Sequence, residues 1–301
     1  MTAKFSRYLG IVAVGSAAAL GGLPAGEQAP APTILHADAF QHYIDGFNSN
    51  DREMYAGSID NAAAWAFLKN NIPLFDCPDK MVEEIYYFRW WTYRKHIKQT
   101  PVGRIVTEFL PDVAWAGKYN SIDCPAGLHL YEGRWLHDRG ILDDYSRFWF
   151  RGGGSARRYS FWAADSYWNR YLVTGDAAWI KDLLPDLVNN YKAWEETHRD
   201  PNGLFWQNDD WDGMEYSIGG SGYRPTINSY QFADAAAIAR IADLAGQPGL
   251  ATEYRAKSAT SRSWSRGNYG TGRMDSSRLY PGLRILTWRT CANLLASRHG
   301  M

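Results

Sequence analysis

Between His36 and Ala259 apolar residues recur at intervals of three and four, the spacing that gathers them on one face of an α-helix. Seven segments carry it: "HADAFQHYIDGF", "DKMVEEIYYFRWWTYRKHI", "GILDDYSRFWF", "YSFWAADSYWNRYLV", "DAAWIKDLLPDLVNNYKAWEETH", "INSYQFADAAAIARIADL" and "LATEYRAKSA". Strand-like alternation of apolar and polar positions is nearly absent, so the body of the chain is predicted to be helical.

Short glycine turns around Gly140, Gly175 and Gly246 join neighbouring helical patterns as antiparallel hairpins require. Longer connections fall at about 99 to 127, 151 to 158 and 199 to 226. Alternation of short and long connections puts all the long ones at one end of a helical array. Six of the eight residues from Tyr86 to Tyr93 are aromatic, too many for a single stripe, which predicts an inner helix covered on several sides. Arg89 and Arg94 within it need carboxylates or a ligand, because an unpaired buried guanidinium is strongly unfavourable.

The third long connection contains "DDWDGMEYSIGGSGYRP", residues 209 to 225, with four carboxylates, four glycines and three aromatics in seventeen positions. Its start has the look of a calcium loop, but the twelfth position counted from Asn208 is Gly219, where a bidentate Glu is required. Acids capping the following helix and pairing with arginines would account for Asp209 or Asp210. Glu215 is different, because Met214 and Tyr216 flank it and a flexible glycine-rich turn follows that can approach a ligand closely. A carboxyl group among aromatics has its charged form disfavoured, and that is the requirement for a general acid near neutrality. Glycoside hydrolysis uses such an acid to protonate the leaving oxygen, with a second carboxylate as base or nucleophile.

Composition adds to this picture. The 301 residues include 14 Trp, 19 Tyr and 12 Phe, and flat aromatic faces suit the C–H faces of sugar rings. The formal charge is zero, with no basic helical stripe and no nucleic-acid-binding motif. Cys77, Cys124 and Cys291 allow at most one disulfide and match no zinc spacing. Lys4 and Arg7 precede an apolar run from Tyr8 to Leu23 and then small residues and prolines. This is the layout of a signal peptide over residues 1–25, with an uncleaved anchor as the other reading, and it predicts a secreted or periplasmic protein with no other membrane segment.

The last 42 residues, 260–301, hold seven Arg, no Lys and one acid, Asp275, with no helix-period patterning. A permitted codon choice for "TSRSWSRGNYG", with one G restored in front, decodes as "DIKKLVKRKLW", which continues the preceding amphipathic helix. The sequence therefore predicts a frameshifted tail without a defined fold from Thr260 onward.

Residues from about 79 to 259 resemble the mannosylglycerate hydrolase type of glycoside hydrolase domain, a relative of the trehalase and family 63 glucosidase groups. The runs that carry the resemblance are "YYFRWWTYRKHI", "TEFLPDVAWAGKYNSIDCPAGLHLYEGRWLHD", "SFWAAD", "LLPDLVNNYKAW" and "GLFWQNDDWDGMEYSIGGSGYRPTINSYQFADAAAIA". The resemblance implies an all-α (α/α)6 barrel, a six-hairpin toroid, over residues 33–259 and incomplete at the C-terminus. In the wider group the general acid occupies a Ser-Gly-Trp/Met-Asp-x-Ser motif. "DGMEYS" aligns Gly213, Met214 and Ser217 with it and places Glu215 on the acid, with Asp212 beside it as the residue that could share the role.

An inverting mechanism on an α-glycosidic bond, without metal or cofactor, is implied, as is an oligosaccharide or small glycoside as substrate and no nucleic-acid partner. The matching base carboxylate would lie in a further C-terminal run that this chain lacks, so the chain as given is expected to be inactive. Sugar contacts implied by position are Arg89, Trp90, Trp91, Glu108, Asp112, Asn120, His129, Glu132, Arg134, Trp162, Asp165, Gln207, Arg224 and Asn228. For Trp162 and His129, core packing is an equal reading. Two other functions stand beside the glycosidase: a carbohydrate-binding remnant without catalysis, and a polysaccharide lyase on a similar helical toroid.

Overall fold

The computed structural model describes residues 35–215 and 220–269, the last nine of these by backbone alone. The expected signal peptide therefore lies outside the described residues, as does Cys291. A 3-10 turn, Ala37–Phe40, leads into α1 (Gln41–Asn50), followed by α2 (Ala64–Asn71), α3 (Lys80–Lys95), β1 (Ile97–Thr100), β2 (Gly103–Val106), α4 (Ala126–Gly133) and α5 (Gly140–Arg151). The chain continues through α6 (Ala163–Thr174), α7 (Ala177–His198), α8 (Pro225–Leu244) and α9 (Pro248–Tyr269). The fold is mainly helical, of the all-α hairpin kind that the hydrophobic periodicity predicts.

Local chemistry sets several boundaries. The Asp79 carboxylate accepts from the Met81 and Val82 amides at the start of α3, and Asp176 accepts from the Trp179 amide at the start of α7, each satisfying donors that a helix start leaves open. Gly175 ends α6 with φ +67°, a left-handed conformation that glycine adopts without steric penalty.

Helices α4, α6 and α8 lie side by side with their N-termini at one end. Gly127 of α4 lies against the Trp162 indole, so closely that an added Cβ would stand 2.5 Å from it. Trp162 in turn meets Tyr230 of α8, ring centroids 4.8 Å apart. The start of α6 has no side-chain cap of its own. Asp234, reaching across from α8, accepts from the Asp165 amide at 3.0 Å and also from the backbone amides of Ala163 and Ala164. This carboxyl is 2% exposed, and burial drives its pKa well upward. Each of these three helices follows one of the long connections, at 96–125, 152–162 and 199–224, so those connections converge where the helices begin.

The structure corrects several sequence expectations. The helix expected to end at Ile97 stops at Lys95, and a two-stranded hairpin follows with Ile97 opposite Val106 and Thr100 opposite Gly103. Strands of four residues are too short for alternation to register. Helix α3 is antiparallel to α4, since Arg89 meets Glu132 while the Tyr93 hydroxyl donates to the His129 carbonyl. Its direction is therefore that of the second helix in each hairpin. Trp90 and Trp91 are buried, but Met81, Val82, Ile85 and Phe88 form an exposed stripe, so among the described residues the helix is not covered on every side.

Arg94 is 1% exposed and donates to the Ile59 carbonyl at 2.6 Å and to the Asn61 side-chain oxygen. Neutral oxygens thus stand where a carboxylate or a ligand was expected. Finally, α9 continues through Tyr269, past the expected loss of fold at Thr260. Once a helix is nucleated, adding residues is far easier than starting it, so an unpatterned extension can remain helical.

Candidate functional site

The site is built on the three converging connections. Asn120 organises the first: its side-chain oxygen accepts from the Val113 amide at 2.9 Å, and its amide group donates to the carbonyls of Phe109 and Pro111. Asn228 does the same for the third, bonding both backbone groups of Phe205 at 2.9 and 2.7 Å and the Arg224 carbonyl at 2.9 Å. Both side chains spend their hydrogen-bonding capacity on backbone and give the loops a fixed shape. Gln207 is fully buried and accepts from the Asn208 amide, while its own backbone pairs with Gly222.

Asp212 and Arg224 form the rigid centre of the third loop. The Arg224 Nε and Nη2 donate to the two oxygens of Asp212 at 2.6 and 2.8 Å, and the Thr226 hydroxyl adds a further donor to Asp212. A third guanidinium nitrogen reaches the Gly220 carbonyl at 2.8 Å. Both side chains are almost completely buried, and this fork geometry is the strongest arrangement available to Arg and a carboxylate. Asp212 is thereby committed to holding the loop.

Three residues further on, Glu215 is exposed. Glu108, on the first connection, is exposed too, but partial desolvation and then the charge of Glu215 raise its pKa. Cys124, just before α4, is pushed up to about 12 by burial, followed by the charges of Glu108, Asp123, Glu215 and Asp212. The Cys124 thiol also stands 3.1 Å from where a Cβ on Gly213 would be. Asp123 is buried, with its carboxyl raised to about 8 mainly by burial, although both its oxygens accept from the Tyr159 amide. Tyr159, whose ring centroid lies 6.3 Å from that of Trp211, is influenced by Glu215 as well. Acids from the first and third loops and aromatic rings from the second and third therefore share one end of the α4, α6 and α8 row.

Among the positions expected to touch sugar, Glu108, Asp212, Glu215, Arg224 and Gln207 meet at this end. Trp162 stands beside them, half-buried against Gly127, Tyr131 and Tyr230. Asp165 follows one turn down α6, bonded by the Tyr131 hydroxyl and the Asn169 amide. Asn120 and Asn228 shape the loops from within.

The rest lie elsewhere. Trp91 is buried against Phe47 and donates to Asn48, and Trp90 lies against Tyr86 and Tyr93. Arg89 and Glu132 pair with each other at 2.8 and 3.1 Å. His129 is enclosed midway along α4 against the Tyr145 hydroxyl, and burial lowers its pKa to about 3. Asp112 is exposed and faces Lys98, and Arg134 lies beyond the far end of α4. Sequence reading passed over Asp123, Cys124, Tyr159 and Tyr230. The first two sit in "SIDCPAG", where an acid before Cys-Pro was the available signal. Among the described residues no cluster of His, Cys, Asp and Glu is arranged to hold a metal ion, and no helix is long and apolar enough to cross a membrane.

Comparison with known proteins bears on this arrangement. Residues 118–265 match the mannosylglycerate hydrolase MGH1-like glycoside hydrolase domain, a stretch that starts later than the sequence resemblance at 79 and runs six residues past Ala259. Among solved structures, a chain described as "Sialidase" is similar with a TM-score of 0.77 and 43% identity, over 79% of this chain and 23% of its own length. The chain thus spans about a quarter of that longer protein. No curated protein matches. Residues 118–265 are thus similar to a glycoside hydrolase domain, and they include Asp123, Tyr159, Trp162, Trp211, Asp212 and Glu215 of the loop end, while Glu108 precedes them.

Proposed function

We propose that this domain hydrolyses an α-glycosidic bond with inversion, Glu215 donating the proton to the departing oxygen. What supports the reading is that Glu215 and Glu108 lie on two loops at the same end of the helices, near enough that the Glu108 carboxyl, raised first by partial burial, is raised further by the charge of Glu215. A neighbouring negative charge disfavours the ionised form of Glu108. Tyr159, Trp211 and Trp162 supply flat apolar surfaces on which a sugar ring can lie. Asp212 then acts as a positioning residue through Arg224, holding the loop that carries Glu215.

The substrate is an oligosaccharide or small glycoside, and the chain is exported by its first 25 residues. Product stereochemistry tests the reaction class. The frame-corrected gene product, incubated with an aryl α-glycoside and followed by proton NMR, should release the β-anomer first. Release of the α-anomer first, or an unsaturated product absorbing in the ultraviolet, contradicts the proposal, the latter in favour of a lyase.

The observation favouring a second assignment within the same reaction is that Glu108 is the carboxyl of the two held above its ordinary range, by partial desolvation first and then by the charge of Glu215. Should Glu108 be the donor, substitution there rather than at Glu215 will carry the sensitivity to leaving group.

A further inference from the structure

At the opposite end of the α4, α6 and α8 row, where α4 turns into α5 and α6 into α7, a cleft of about 380 Å³ opens between Pro73, the 134–139 turn and Val173. Its volume falls within the range of small-molecule sites, about 300 to 1,000 Å³. Its lining includes Arg134, His137 and Arg139 and no carboxylate.

The charges here are not neutralised locally. The nearest acid in sequence, Asp138, is turned to Arg104 and to the Gly140 amide. Asp143 is bound to Arg170, and Asp176 caps α7. Arg139 has no ion-pair partner among the described residues, and its charge opposes that of the neighbouring Arg170. Arg134 has no carboxylate either. Its guanidinium is set between two rings, 5.1 Å from the Tyr131 centroid and 5.3 Å from that of Trp135. That stacking fixes its plane, and its Nε is buried without a hydrogen-bond partner. Two guanidinium groups converging on one concave surface without compensation repel each other unless an anion joins them. A planar fork suits a carboxylate, sulfate or phosphate oxygen pair. Trp135, 46% exposed, leaves indole surface at the cleft for the apolar face of a ring.

We propose that this cleft is a binding site for an oxyanion carried on a sugar ring, with Arg134 and Arg139 engaging the anion and Trp135 the ring. It is separate from the acidic loop end, from which it is divided by the length of α4 and α6, about 18 Å for the twelve residues of α6. Its position lets the domain hold an acidic saccharide without placing it at the carboxylates.

Calorimetric titration of the 301-residue chain at low ionic strength tests this with glucuronate, glucose and sodium sulfate as probes. Glucuronate should bind at least tenfold more tightly than glucose, from which it differs by the carboxylate. Arg139→Gln, at an exposed position where folding should survive, should weaken glucuronate about tenfold or more. Trp135→Ala should weaken glucuronate while leaving sulfate unchanged, and Glu215→Gln should alter neither. Equal binding of glucose and glucuronate, no measurable glucuronate binding, or an Arg139→Gln chain that binds as well as the parent overturns the site. Loss of binding in Glu215→Gln assigns the saccharide to the loop end and overturns it too. Insensitivity of glucuronate to Trp135→Ala removes the ring contact and with it the sugar specificity.

Discussion

Asp212 and Arg224 are joined by two parallel hydrogen bonds of 2.6 and 2.8 Å with almost no exposure to solvent, and this pair anchors the chain three residues before Glu215. Arg224 sits immediately before α8, whose first residue is Pro225, so the pair ties the glycine-rich loop to a rigid element. A buried guanidinium deprived of its carboxylate is left uncompensated. Asp212→Ala should therefore lower unfolding free energy by about 3 to 5 kcal/mol, measured by urea denaturation. An effect below about 1 kcal/mol would place Arg224 in solvent and remove the clamp.

The glycine at 127 is a packing requirement. An added Cβ would stand 2.5 Å from the Trp162 indole and 2.8 Å from a second atom of the same ring, within a wall also formed by Tyr230. Gly127→Ala should destabilise by about 1 to 3 kcal/mol through overpacking. It should also displace Trp162, which difference fluorescence against a Trp162→Phe background detects. Unchanged stability would mean that the α4 and α6 N-termini are farther apart than described.

Asp123 gives a pH signature with a definite sign. Its folded carboxyl is raised from 3.8 to about 8, burial being the main cause. Below about pH 4 both folded and unfolded chains carry the proton and no penalty arises. Between about 4 and 8 the unfolded chain releases it while the folded one keeps it, so stability falls as pH rises, by at most about 1.4 kcal/mol per pH unit. Asp123→Asn preserves an acceptor for the Tyr159 amide and lacks this titration. The stability of the parent relative to Asp123→Asn should decline across that window, and a flat difference contradicts the burial assigned to Asp123.

What the sequence disclosed follows from which interactions have a period. The helices α5, α7 and α8 bury regular stripes, Ile141, Leu142, Tyr145, Phe148 and Trp149 in the case of α5, and such stripes are legible without a structure. Convergence of the long connections also follows from their spacing. The strands, the two-turn α2 and the glycine-containing α4 leave too few periodic positions to be seen. Single long-range contacts have no period at all. Nothing in the chain announces that Asp234 caps α6, 69 residues before it, or that Glu108 and Glu215 share an end. The fork between Asp212 and Arg224 was within reach, since "DDWDG" and "YRP" lie twelve residues apart, but whether Asp212 was acid or clamp needed its partners.

Which carboxyl gives up the proton is read from the dependence of rate on the leaving group. In the frame-corrected gene product, rates should be compared for an unactivated α-disaccharide and a dinitrophenyl α-glycoside in Glu215→Gln, Glu108→Gln and Asp212→Asn. A general acid contributes roughly 10² to 10⁴ in rate when the leaving group needs protonation and much less when it departs unaided. The account predicts that Glu215→Gln loses the disaccharide reaction by that factor and largely retains the dinitrophenyl one, while Asp212→Asn depresses both alike. Glu108→Gln or Asp212→Asn showing the selective loss, with Glu215→Gln active on both substrates, contradicts the account.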